Sequence, residues 1–99
     1  MKTTAVGIAD ANGNAVATIQ PPTGTSWRID HMAVSSTSSV DSSCRVHIGD
    51  DFVAGTTVGN GDSTDAGPLL LHDYEELTAN WFNASVGSVC TLLIQYEID

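Results

Sequence analysis

Positive charge is the scarcest commodity in this chain. Lys2, Arg28 and Arg45 are its only basic side chains beside twelve carboxylates, leaving a net charge of −9 over 99 residues. Nucleic-acid binding draws its affinity from Lys and Arg displacing phosphate counterions, so no DNA or RNA partner is expected. The same deficit argues against an anionic membrane surface. Long apolar runs are missing as well. The longest, "TLLIQY", is far short of the roughly 20 residues that a membrane-spanning helix needs. The stretch after Lys2, "TTAVGIADANGNA", has no continuous apolar segment of the kind a secretory leader carries. The expectation is therefore a chain made in the cytoplasm and not exported.

Cysteine is scarce too. Cys44 and Cys90 stand alone with no CxxC, which excludes a zinc site of the usual spacing. Bridging them would close a loop of about 46 residues, worth roughly 4 kcal/mol on a chain-entropy argument. Without export, buried thiols are expected ahead of a disulfide.

Catalytic signatures are equally thin. There is no GxSxG, HExxH or phosphate-binding loop. His31, His47 and His72 fall in three separate segments, and serine is so abundant that its presence near any of them carries no information. Glu75 and Glu76 adjoin, so on a strand they would point to opposite faces rather than flank a scissile bond. Asp50, Asp51, Asn60, Asp62 and Asp65 gather oxygens in loops, but without the EF-hand spacing, and solvated loop acids are the plainer reading. No enzyme, no cofactor and no metal are expected.

What the chain does have is a two-residue hydrophobic period broken by Gly, Pro, Asn and Asp clusters. "TAVGIA" puts Val6 and Ile8 on one face, and Asn12-Gly13 suits a hairpin turn returning into "AVATIQ". "WRIDHMAV" alternates at Trp27 and Ile29, then slips phase to Met32 and Val34, which predicts a β-bulge around Asp30-His31. "SSTSSVDSS" reads as a loop with no packing potential. "CRVHIG" turns Cys44, Val46 and Ile48 inward. "FVAGTTV" offers a short strand or two, "GNGDSTDAG" a loop, and Pro68 opens a strand "PLLLH". "ELTANWFNA" turns Leu77, Ala79 and Trp81 to one side. In "SVCTLLIQYEI", Cys90, Leu92, Ile94, Tyr96 and Ile98 face in and Leu93 breaks the outward polar pattern.

About eight short strands without a credible helix predict a single all-β domain over residues 1–99, an antiparallel two-sheet sandwich of jelly-roll type. Trp27, Trp81, Ile29, Leu92 and Ile94 are its expected core anchors, with the two indoles meeting. Arg28, Phe82, Leu93 and Tyr74 are interface candidates, together with the Ala/Val/Ile-rich first strand. Self-association is expected because a sandwich this small has little spare core and needs its edge strands covered.

"SWRIDHMAVSST", "VHIGD", "GTTVGNGDSTDAG", "PLLLHDYEELTANWFNASVG" and the terminal "TLLIQYEI" together resemble small structural proteins of tailed bacteriophages that infect actinobacteria. The resemblance spans about residues 15–98 and rests on a W-x-[IV]-x-x-[IM]-x-V strand, a glycine–aspartate loop, an L-T-x-x-W strand and the last strand. "HDYEEL" departs from the single Gly-Glu turn of that pattern. The resemblance implies a β-sandwich virion component, first of all a capsid decoration protein that binds the major capsid protein and stabilises the shell as a homo-oligomer. A tail or baseplate module recognising host-surface glycan, with Phe82, Tyr74 and Phe52 as stacking faces, is the alternative, as is a head–tail connector component.

Overall fold

The computed structural model describes residues 1–40, 42–58, 63–64 and 69–99, and the side chains of all of these but 54–58 and 63–64. Among the described residues there are nine strands: β1 (Lys2–Ile8), β2 (Ala15–Ile19), β3 (Trp27–Ser36), β4 (Ser42–Ile48), β5 (Asp51–Val58), β6 (Ser63–Thr64), β7 (Leu69–Leu71), β8 (Leu77–Phe82) and β9 (Val89–Ile98). One sheet runs β1-β9-β3, with β6 and β7 both along the remaining side of β3. β7 pairs with Trp27–Ile29 and β6 with Met32 and Ala33, so together they fill one strand position in two pieces. The other sheet runs β2-β8-β4-β5. These are called below the β9 sheet and the β8 sheet.

The pairing is nested. The first strand lies beside the last, the second beside the next to last, the third beside the β6–β7 position, and the fourth beside the fifth, all antiparallel. That is a long hairpin rolled into two sheets, the jelly roll anticipated from the strand spacing. Alternation dictates the rest. Ile29, Trp81, Leu92 and Ile94 are wholly buried between the sheets and Trp27 nearly so. The expected bulge is present, as a register shift between Ile29 and His31 where β3 meets β9.

Several expectations fail for local reasons. β1 and β2 do not form a hairpin: they belong to different sheets. Gly13 has φ 79° but Asn12 is not in the left-handed region, so the two-residue turn that needs positive φ at both positions is not made. Instead the Asp10 carboxylate accepts the Asn12 and Asn14 amides at 2.9 and 3.0 Å, and the chain arches from one sheet to the other. Val6 and Ile8 share a face as expected; it is the outer one, and both are more than half exposed. Small residues point inward instead. At Gly7 a Cβ would fall on the backbone of Val16, so the sheets close here because glycine has no side chain.

The two indoles do not meet. Trp27 stacks on Tyr96 with centroids 4.0 Å apart and closes one end of the core. Trp81 pairs in register with Cys44 near the other end, where its Nε1 is buried without a hydrogen-bond partner among the described residues. Ile98 lies past the Trp27–Tyr96 stack and is 61% exposed rather than inward. The serine-rich loop does pack. Ser36 and Ser42 are buried, and the Ser38 hydroxyl accepts the Ser85 amide at 2.9 Å and the Val40 amide at 3.2 Å. Thr37 Oγ1 accepts the Val89 amide at 2.9 Å, so hydroxyls satisfy backbone donors of this loop and of the segment leading into β9. The glycine–aspartate loop at 59–62 and 65–67, and the strand start at Pro68, lie outside the described residues.

Candidate functional site

The four interface candidates fall on different surfaces, not one. Arg28 and Leu93 are on the outer face of the β9 sheet, Phe82 on the outer face of the β8 sheet, and Tyr74 on the loop between β7 and β8. Arg28 is paired on its own strand, its Nε donating to Asp30 Oδ1 at 3.2 Å. Both side chains are about half exposed, so the pair contributes at most about 1 kcal/mol. Leu93 is half-buried between Thr4 and Ala33 of the flanking strands.

Apolar side chains gather at one end of the β9 sheet's outer face. Val6 and Ile8 project from β1 and Val89 from β9, with Leu93 along the same strand. The turn into β9 carries Val86, 71% exposed. That turn is tied to the end of β1 by the Gly87 amide donating to the Ala9 carbonyl at 3.0 Å. β1 is also the edge strand of its sheet. It carries no proline and a single charge, Lys2 at its start, so it lacks most of the devices that keep an edge from finding a partner.

The loop after β7 builds an open groove of about 540 Å³ with the β4–β5 turn, lined by Gln20, Asp50, Asp51, Tyr74, Glu75 and Glu76. Glu75 and Glu76 are in this loop rather than on a strand, and so line one groove instead of opposite faces. Glu75 Oε1 accepts the His72 backbone amide at 3.0 Å, Asp73 Oδ2 accepts the Gly24 backbone amide at 2.7 Å, and Gln20 Nε2 donates to the Asp73 carbonyl at 2.7 Å. The loop is thereby fixed to the turn after β2. Tyr74, 77% exposed, lies parallel to His72 with centroids 5.2 Å apart. His72 Nδ1 is 3.2 Å from Ser26 Oγ. Among the described residues no carboxylate hydrogen-bonds the His72 ring, so this contact lacks the orienting group of a nucleophile–base pair. Among the described residues no three His, Cys or carboxylate side chains are grouped to hold a metal ion. Asp50 and Asp51 line the groove; Asn60, Asp62 and Asp65 are outside the described residues.

The β8 sheet's outer face differs in charge. Register places Arg45 beside Asn80, with Val16 beyond it on β2. One step along, His47 lies between Thr78 and Phe52, its ring edge-on to Phe52 at 5.6 Å. On the other side Ser43 pairs with Phe82. Ser43, Arg45 and Phe82 line a shallow hollow of about 320 Å³. Among the described residues Arg45 makes no ion pair or hydrogen bond.

Cys44 and Cys90 are both free and buried. Burial pushes the Cys44 thiol up to about 12 from 9.0, and the neighbouring Cys90 adds to the rise. A thiol so placed is not a nucleophile at neutral pH.

No protein-family model and no curated protein matches the chain. Among solved structures it is similar in fold to part of a GH26-CBM35 β-(1,4)-mannanase of Podospora anserina, at 15% identity and a TM-score of 0.49. That match covers 98% of this chain and 26% of the mannanase chain. The chain thus spans about a quarter of the length of that protein. A CBM4 structure is similar at 8% identity and a TM-score of 0.35, covering 97% of this chain and 93% of that one.

Proposed function

We propose that this chain is a non-enzymatic docking module of a tailed-bacteriophage virion, a capsid decoration protein that binds the outer shell and its own copies. The observation that carries the docking role is the exposed apolar cluster of Val6, Ile8, Val86 and Val89 on the β9 sheet and its edge strand. Small soluble domains gain nothing from such a cluster unless a partner covers it. The phage resemblance supplies the partner: the major capsid protein, with further copies of the chain around it. Such a module works by burial alone, and many weak contacts repeated over a symmetric shell add through high local concentration.

Cryo-electron microscopy of purified virions tests this. Density for the sandwich at high copy on the shell, with the β9 sheet turned toward it, is the expected result. A handful of copies near the tail would overturn the decoration role in favour of a connector or baseplate position.

A second reading, a tail module for host-surface glycan, is favoured by the exposed Tyr74 ring standing on the rim of a groove rich in carboxylate acceptors. Sugar rings stack on such faces while their hydroxyls donate to acids. A glycan array on which Tyr74→Ala abolishes binding supports it, and a flat array with the intact chain counts against it.

A further inference from the structure

We infer that the hollow at Arg45, Ser43 and Phe82 on the outer face of the β8 sheet is a binding site for an anionic glycan, a sugar polymer bearing carboxylate or phosphate groups. The inference starts from charge. A chain of net charge −9 repels anions over most of its surface. The outward register positions of β2, β8 and β4 and the outward Phe52 of β5 carry no carboxylate at all, although the chain has twelve. Near the middle of that face stands Arg45, exposed and unpaired among the described residues, whereas Arg28 is neutralised by Asp30. This face therefore offers an anion a guanidinium that is unpaired among the described residues.

The side chains around Arg45 decide the class of anion. A guanidinium presents a planar fork of donors that matches a carboxylate or a phosphate in two parallel hydrogen bonds. Phe82, 40% exposed, offers an apolar ring for the C–H face of a sugar. The Ser43 hydroxyl, two positions along β4 from Arg45, and the half-buried Asn80 amide, opposite Arg45 on β8, suit sugar hydroxyls. The hollow of about 320 Å³ is shallow and built on paired strands, so it accepts a sugar residue without rearrangement. The Tyr74 groove is unsuited to the same ligand, because its four carboxylates would face the anion. The hollow is also on the opposite sheet from the apolar cluster. A copy docked through its β9 sheet would turn this hollow outward, but the site does not depend on that docking.

Titration of the full chain, followed by ¹⁵N–¹H NMR, tests the site without any virion. The probes are oligogalacturonate for the carboxylate arm, oligo(glycerol phosphate) carrying sugar substituents for the phosphate arm, and neutral oligogalactan and oligoglutamate as controls. The expected result is saturable shifts confined to Ser43, Arg45, Asn80 and Phe82 with at least one anionic sugar polymer. Arg45→Gln should weaken binding at least tenfold and Phe82→Ser several-fold, with Arg28→Gln unchanged and the spectrum of each variant still dispersed. The arm that binds identifies the anion. No shift with either anionic polymer, an unchanged affinity in Arg45→Gln, or oligoglutamate or oligogalactan binding as tightly would each overturn the inference.

Discussion

Raising the pH through the alkaline range perturbs one group in this core above others. Cys44 is 1% exposed, and burial first and Cys90 second lift its thiol from 9.0 to about 12. A group whose folded pKa is raised keeps its proton in the native state at a pH where the unfolded chain has already lost it. The stability it contributes is complete below pH 9.0 and drains away as the pH climbs toward 12. Each pH unit in that window costs up to about 1.4 kcal/mol, so the loss by pH 11 is about 2–3 kcal/mol. Against a total stability of about 5–15 kcal/mol for a domain, that is a large share. Urea unfolding of the intact chain and of Cys44→Ala, across this range, isolates the effect, since every other titrating group is common to both. At neutral pH the variant should be the less stable, by about 1–2 kcal/mol for the lost sulfur contacts. By pH 11 the gap should have closed or reversed. Parallel stability profiles would refute the reasoning, as would thiolate absorbance of native Cys44 rising near its unfolded value. The same shift predicts slow alkylation: at pH 8 the thiolate fraction falls from about one in ten to about one in ten thousand.

Gly7→Ala should destabilise the fold by about 1–3 kcal/mol in denaturant unfolding, because the added methyl meets the Val16 backbone, which cannot swing aside as a side chain would. Asp10→Ala should cost about 0.5–2 kcal/mol and speed amide exchange at Asn12 and Asn14, whose donors it satisfies. Ser38→Ala should speed exchange at Ser85 and Val40 together, since one hydroxyl accepts both. A Val6→Lys, Ile8→Lys double variant should keep its β-sheet circular dichroism and sediment as a monomer at concentrations where the intact chain self-associates; unchanged association would remove the apolar cluster from the interface.

Periodicity sorted most of the sandwich correctly because β3, β4, β8 and β9 each put large hydrophobes on one face and mostly polar residues on the other. The phase slip at Asp30 was visible for the same reason. Long-range pairing was not visible, and Asn12-Gly13 shows why. The dipeptide permits a hairpin, but whether two strands pair or face each other depends on which sheet each one completes. In the arch that forms, Asp10, two residues before Asn12, accepts the Asn12 and Asn14 amides. The serine loop was misjudged because a hydroxyl buries well only when a backbone donor meets it, and those donors come from Ser85 and Val89, about fifty residues later.

β1 is the strand whose alternation bears most on function. Its alternation is real, yet its larger side chains, Val6 and Ile8, face water, and small ones face the core, where Gly7 lets the sheets close on Val16. Alternation reports that a strand has two faces; it does not say which is inside when the inner one is nearly bare. A strand that spends its β-branched bulk on the outside is stabilised in the monomer mainly by its pairing with β9. The bare inner face that leaves the direction of β1 open in the sequence is thus the same feature that puts its apolar bulk on the exposed end of the β9 sheet.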